Sequence, residues 1–360
     1  MKQQHFKKNG RIYFDPSSIP PRSKASVESL TKLIRDYDKD AAPDEEFNKK
    51  RNEAADDLRA ACHQKYGMKA NVYIFGSSIN GFGTKTSDVD CFIMYKFNSM
   101  HKKSYMNPIL DALRRRDSCF QIINIVRKAK APVITVQHKK NKLEMDITFA
   151  SDSNPRSDVL ENSKLLNTYA MKNPKISAIG RFIKFILSNE PGLGSAKYGG
   201  LSSYSHMIMF IYFLLHGNHK VNHVTVEGTY VDNEEELLAS EGNIFLDFLH
   251  FYACEFNSSK YTIDIRFNDI RKVLPEHDTR IFTIEDPIIE KNLGKQMSAN
   301  HVYNLKLYYF WLLRHLPNNE LNAAELKTFL LNSHFSSIAS MEMPKVHPSS
   351  GLLRFEFECN

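Results

Sequence analysis

The sequence predicts an α/β plus α chain: a small mixed-sheet domain joined to a mostly helical second domain. Three observations carry this. Strand-like stretches cluster between Asn71 and Phe149, interrupted by one amphipathic helix. From Asp158 onward, apolar residues recur at helical spacing in one segment after another. At 360 residues, with 42% hydrophobic and 25% charged residues, the chain has sequence enough for two cores. The sheet domain is expected at residues 41–152, with 1–40 and 153–360 forming the helical domain.

The elements follow in order. The first forty residues are basic and contain Pro and Ser, and then carry a helix marked by Val27, Leu30, Ile34 and Tyr37. A second helix is predicted to start at Pro43, a favoured first-turn residue, and to run through Phe47, Ala54, Leu58 and Ala61 to a stop at Gly67. Residues 71–75 read as a strand, 76–87 as a Gly/Ser/Thr-rich turn, and 89–95 as a second strand. A helix near 107–116 precedes three more strands at 120–126, 133–137 and 143–149, with a lysine-rich turn at 139–142.

In the second domain, Leu165, Leu166, Tyr169 and Ala170 mark one amphipathic helix; Ile176, Ile179, Ile183, Ile186 and Leu187 mark another. Apolar helices are expected at 205–215, 244–256 and 299–315. The acidic run 232–236 reads as solvated, and 352–357 alternates weakly as a strand.

Composition narrows the function classes. A formal charge of +7 suits a polyanionic partner and equally a solvated basic surface. Basic clusters at 114–116 and 139–142 can steer RNA, although each also reads as an ordinary helix end or hairpin tip. MKQQHFKKNG has no apolar core after its lysines, so no secretory signal is expected. The most apolar runs, 207–215 and 305–316, fall short of the roughly 20 residues that span a bilayer, so no membrane is expected. Five widely spaced cysteines without a CxxC pair point to a reducing intracellular compartment. His216, His219 and His223 have no cysteine nearby and straddle a helix end, so no zinc is expected there.

The chemistry concentrates in two stretches. Asp88 and Asp90 lie two apart at a strand start, so both carboxylates project from one face. Like charges so close are costly unless cations bind them. Asp146 repeats the oddity inside the apolar strand Leu143-Glu-Met-Asp-Ile-Thr-Phe. Three converging acids form an oxygen-ligand set suited to Mg²⁺ and able to hold two ions. Gly76 and Ser77, the latter eleven residues before Asp88, supply close backbone approach and phosphate donors. An Asx-rich hairpin with Asp88 as a cap is the bland alternative, and it leaves Asp146 unexplained.

This stretch resembles the nucleotidyltransferase signature of the DNA polymerase β superfamily, and more closely the cytoplasmic poly(A) and poly(U) polymerases. Leu160-Glu-Asn-Ser-Lys-Leu-Leu looks like the family's nucleotide-contacting helix, which implies that Asn162 and Ser163 touch ribose and phosphates. Gly200-Leu-Ser-Ser-Tyr-Ser looks like its serine-serine-tyrosine element, implying a triphosphate contact from Ser203 and a base stacked on Tyr204. Lys184 stands at the family's triphosphate lysine, while Ser188 replaces the second lysine of many relatives. Ile284-Glu-Asp-Pro looks like the late nucleotide-recognition loop, without the histidine that uridine-adding relatives carry.

The resemblance implies catalysis by Asp88, Asp90 and Asp146 with two Mg²⁺ or Mn²⁺ ions, in a cleft between the domains. It further implies a cytoplasmic setting, ATP as substrate, an RNA 3′ end as acceptor, and a separate RNA-binding protein as recruiting partner. Terminal uridylyl transfer and a small-molecule nucleotidyltransferase are the rival activities. A catalytically dead scaffold should have lost one of the three acids, and all are present.

Overall fold

The computed structural model describes residues 7–8, 11–12, 18–66, 70–95, 106–115, 118–128, 132–151, 157–217, 219, 221, 237–267, 273, 280–316 and 321–332. The expected stop at Gly67, the acidic run 232–236, Arg116, His223 and the strand at 352–357 lie outside them. Two compact units emerge, Ala41–Met171 and the combination of Met1–Asp40 with Lys172–Asn360.

In chain order, β1 (Lys7–Lys8) pairs antiparallel with β2 (Arg11–Ile12), and α1 (Lys24–Ala41) follows. α2 (Glu45–Tyr66) starts later than the Pro43 expected from the sequence. Asp44 is the reason: its carboxylate accepts from the Phe47 N–H at 2.8 Å, satisfying a helix-start donor that Pro43 cannot reach. β3 (Ala70–Ile74), β4 (Val89–Tyr95), α3 (Met106–Arg114), β5 (Phe120–Val126), β6 (Val133–His138) and β7 (Glu144–Ser151) complete the sheet unit up to α4 (Ser157–Lys172).

The sheet order is β3-β4-β7-β6-β5. Only β4 and β7 run parallel among the named pairs; the others are antiparallel. Alternation sorts the faces. Val89, Cys91 and Ile93 of β4, Ile134 and Val136 of β6, and Met145 and Ile147 of β7 are buried in one core. Ala54, Leu58 and Cys62 from α2, with Ile109, Leu110 and Leu113 from α3, pack into the same core. Asp90 and Asp146 therefore point to the other face. That face has an aromatic floor, with Phe92 stacked on Tyr73 at 5.1 Å and near Phe75 at 5.9 Å.

The compact sheet unit runs to Met171, beyond the residue 152 expected from the sequence. α4 accounts for the extension. A Cβ on Gly81 would lie 2.4 Å from the Ala170 Cβ, so the turn after β3 packs hard against this helix.

In the helical unit, α5 (Pro174–Ser188) begins with Pro174 behind the cap Asn173, which accepts from Lys175 N–H. α6 (Pro191–Gly194), α7 (Ser203–His216), α8 (Glu241–His250), α9 (Ala299–His315) and α10 (Ala323–Asn332) follow. Serines cap α7, α8 and α9, and in α9 the Ser298 and His301 side chains cap reciprocally. α7 is buried on every side from Ser205 to Leu215 and forms the centre of this core. α1 joins through the Arg35 fork on buried Glu241 (2.8 and 2.9 Å) and through Arg181 on Asp38.

Candidate active site

Asp90 of β4 and Asp146 of β7 stand directly opposite each other in the parallel ladder. Strands pair about 4.8 Å apart, so the two carboxylates are close neighbours on one face. Thr135 of β6 is the next residue across, and its hydroxyl donates to Asp146 Oδ1 at 2.7 Å. Three adjacent strands thus present Asp90, Asp146 and Thr135 at one level. Asp88 lies two residues before Asp90, just ahead of β4, and is exposed. Its carboxyl pKa is raised, first by partial enclosure of the group and then by the charges of Asp146 and Glu144. Clustered oxygen donors under mutual repulsion are the donor set that Mg²⁺ or Mn²⁺ fits.

Beside the acids, residues Gly76–Ser78 form a single 3₁₀ turn. Gly76 has φ +65°, and a Cβ there would sit 2.6 Å from Asp90 Oδ2, so the turn's backbone touches the carboxylate. The turn is held from three directions. From α4, the Ser163 hydroxyl accepts the Gly76 N–H at 2.9 Å and donates to Val159 O at 2.6 Å. From α2, Arg51 Nη1 donates to Ser78 O at 2.5 Å. From the loop beyond, Gly83 backs so closely onto the Ser77 carbonyl that a Cβ would be 2.2 Å from its oxygen.

The sequence singles out Ser163, but not as the residue that holds the turn. It does not single out Thr135 or Arg51. Thr135 was findable in part: with Ile134 and Val136 buried, alternation puts it on the acid face. Its pairing with Asp146 needs the sheet order.

Asn162 lies on α4, partly buried and one residue before Ser163. In the helical unit, Lys184 is partly buried on α5, next to buried Ile183, and Ser188 turns its hydroxyl to Phe185 O. Ser203 is the exposed first residue of α7, Tyr204 is partly buried, and the capping serine is Ser202. The late loop is tightly knitted. Asp286 Oδ1 accepts from Ile288 and Ile289 N–H. Asn292 Oδ1 accepts from Ile284 N–H at 3.0 Å and Gly294 N–H at 2.8 Å. His216 and His219 each have a fixed partner, the Phe267 carbonyl and Asp247 respectively. No helix among the described residues is long and apolar enough to cross a membrane.

The chain is similar to known proteins in sequence and in fold. Residues 30–171 match the family model described as poly(A) RNA polymerase, mitochondrial-like, central palm domain. Terminal uridylyltransferase 4 of Homo sapiens is 26% identical over 316 residues, covering 79% of this chain and 19% of that protein. Poly(A) RNA polymerase GLD2 of Xenopus tropicalis is 26% identical over 273 residues, covering 67% of this chain and 49% of that protein. The chain thus spans about a fifth to a half of the length of these relatives. In fold it resembles the Cid1 poly(U) polymerase, with a TM-score of 0.68 at 21% identity over 86% of this chain and 99% of that one. It also resembles the structure of the GLD-2/RNP-8 complex, with a TM-score of 0.65 at 21% identity over 81% and 98%. Residues 30–171 thus match the palm-domain model of that polymerase family, and the chain is similar in sequence to both poly(A) RNA polymerases and terminal uridylyltransferases.

Proposed function

We propose that this chain adds nucleotides to RNA 3′ ends without a template, with ATP as its preferred substrate. The observation that carries the reading is the cross-strand pair Asp90–Asp146, with Asp88 alongside and the Gly76 turn against it. Asp88, Asp90 and Asp146 would hold two Mg²⁺ or Mn²⁺ ions. Such ions supply charge neutralisation at the phosphates and a lowered pKa at the attacking hydroxyl.

The chain's own residues do the positioning. Thr135 fixes one Asp146 oxygen and so orients the other. Gly76 and Ser77 bring backbone and a hydroxyl up to the phosphates on a turn that Ser163 and Arg51 hold rigid. By resemblance, Asn162 serves the ribose and phosphates, and Lys184 and Ser203 serve the triphosphate; Ser163, whose hydroxyl is committed to Gly76 N–H and Val159 O, acts by holding the turn. Ser203 heads a helix, where N–H groups and the macrodipole favour anions. Tyr204 is the proposed stacking surface for the base. The reaction is attack of the RNA 3′ hydroxyl on the α-phosphate, with pyrophosphate leaving.

Base choice rests on the late loop. Residues 285–294 contain no histidine, and the Asn292 amide is committed to loop backbone. Lys291 is exposed there, beside exposed Ile289 and Glu290. By resemblance, the loop lacks the histidine with which uridine-adding relatives read the uracil edge, which favours ATP. Extension of a short labelled RNA with each triphosphate tests this. We expect kcat/KM for ATP to exceed that for UTP by about tenfold or more. Equal or better use of UTP would establish the second reading, uridylyl transfer, which the similarity to terminal uridylyltransferase 4 supports.

RNA is expected to be gripped mainly through phosphates, which gives weak, unselective and salt-sensitive binding. A separate RNA-binding protein would raise the local concentration of RNA ends, in the cytoplasmic setting the resemblance implies. The structural similarity to a GLD-2/RNP-8 complex supports such a partner. Primer extension under a trap of unlabelled RNA is expected to show one or a few additions per encounter. Long tails from this chain alone at physiological salt would remove the need for a partner.

A further inference from the structure

On the opposite face of the sheet from the acids, three side chains of metal-ligating type converge. They come from elements with no spacing relation in sequence: Asp57 from α2, Cys119 just before β5, and His138 at the end of β6. One nitrogen of His138, the Cys119 Sγ and an Asp57 carboxylate oxygen all lie within 4.8 Å of one another. His138 has the same parity on β6 as buried Ile134 and Val136, so it faces α2 and is itself fully buried. The backbone locks the arrangement. Phe120 and His138 are register partners, and Lys139 N–H donates to the Cys119 carbonyl at 2.8 Å.

We propose that Asp57, Cys119 and His138 form a binding site for a zinc-class divalent cation, separate from the catalytic carboxylates. The donor set is mixed sulfur, nitrogen and oxygen, which suits Zn²⁺ and is foreign to Mg²⁺. Tetrahedral zinc with these donors sets them about 3.3–3.6 Å apart. His138 Nε2 and Asp57 Oδ2 are 2.9 Å apart, and the trio spans no more than 4.8 Å, so sub-ångström to ångström shifts complete the geometry. His138 Nδ1 is buried without a hydrogen-bond partner among the described residues, so its contact with Asp57 is the ring's one fixed polar tie. Such a site is more tolerant of an added ligand bond than a fully satisfied network.

Charge and access agree. The neighbouring cations are already engaged, Lys139 with the Ser118 carbonyl and Lys140 with Glu53. Cys119 is exposed, which gives an ion a path from solvent, and the fourth position is left to water. On binding, the Cys119 thiol gives up its proton to solvent and a metal–sulfur bond forms; no electron is transferred. The ion would tie α2 to the β5–β6 hairpin. The expectation of no zinc concerned His216, His219 and His223, a different group in the other unit.

Cobalt is the probe, because a thiolate–Co²⁺ bond gives a near-ultraviolet charge-transfer band that oxygen ligands do not. Chelator-stripped full chain is titrated with Co²⁺ in excess Mg²⁺. One equivalent should develop the thiolate band with tetrahedral ligand-field absorption, and added Zn²⁺ should abolish both. The band should be absent from Cys119→Ser, and Asp57→Asn should weaken affinity about 10–100-fold. Circular dichroism checks that each variant is folded; should Cys119→Ser fail to fold, alkylation of Cys119 in the native protein serves instead. A wild-type titration without the thiolate band, or a band that survives loss of the Cys119 thiol, overturns the proposal.

Discussion

Asp146→Ala is expected to reduce nucleotide addition by about 10³-fold or more, leaving a soluble, folded chain. Asp146 occupies the centre of the site, paired across β4 to Asp90 and held by Thr135. Its removal takes a ligand from any cation shared with Asp90 and Asp88. The fold should not suffer: partial enclosure is the larger cause of the raised Asp88 pKa, and the added repulsion from Asp146 is removed. The same shift sets a pH sign. A carboxyl whose folded pKa is raised contributes stability that is present below the unfolded pKa and lost as pH rises through the folded one. At neutral pH ionised Asp88 therefore burdens the metal-free fold. Asp88→Asn should raise Tm in chelator while abolishing activity, and Mg²⁺ should raise the wild-type Tm more than the variant's. Retention by folded Asp146→Ala of more than a tenth of wild-type elongation would disprove the metal assignment.

Much of this site was legible because strand alternation and functional acids conflict visibly. An Asp at the middle of 143–149 has no place in an apolar strand, and 89–95 and 120–126 appear with the bounds expected for them. The pairing was not legible. Asp90 faces Asp146 because β4 and β7 are parallel neighbours, and nothing local in either segment specifies a partner 56 residues away. The Thr135 bond, Arg51 beneath the turn and the Asp57–Cys119–His138 trio share that cause: each joins residues from different elements, and periodicity reports only on one element at a time. The start of α2 was misplaced for a smaller reason. Pro43 is a permitted first residue, but Asp44 supplies an acceptor where the helix needs one. The extent of the sheet unit was missed because α4 reads as one more amphipathic helix, while its contacts with Gly76 and Gly81 are tertiary.

Gly76→Ala should be the most damaging substitution outside the carboxylates. Two separate penalties act. At φ +65° an Ala costs about 1–2 kcal/mol relative to Gly. The new methyl would also lie 2.6 Å from Asp90 Oδ2, closer than any real Cβ contact. Either the turn lifts off β4 or the Asp90 carboxylate rotates out of line with Asp146. Lifting the turn strains the Ser163 and Arg51 bonds that hold it, so the carboxylate is the easier part to move. A displacement of about 1 Å at a reacting centre costs about 10²-fold in rate, which is the expected fall in kcat. The Mg²⁺ concentration for half-maximal activity should rise in parallel, a change that simple destabilisation would not produce. Gly192→Ala is the matched control: a Cβ there meets nothing within 4 Å, so activity should be unchanged. Near-normal kcat and unaltered Mg²⁺ dependence in folded Gly76→Ala would mean that the turn and Asp90 do not work as one unit.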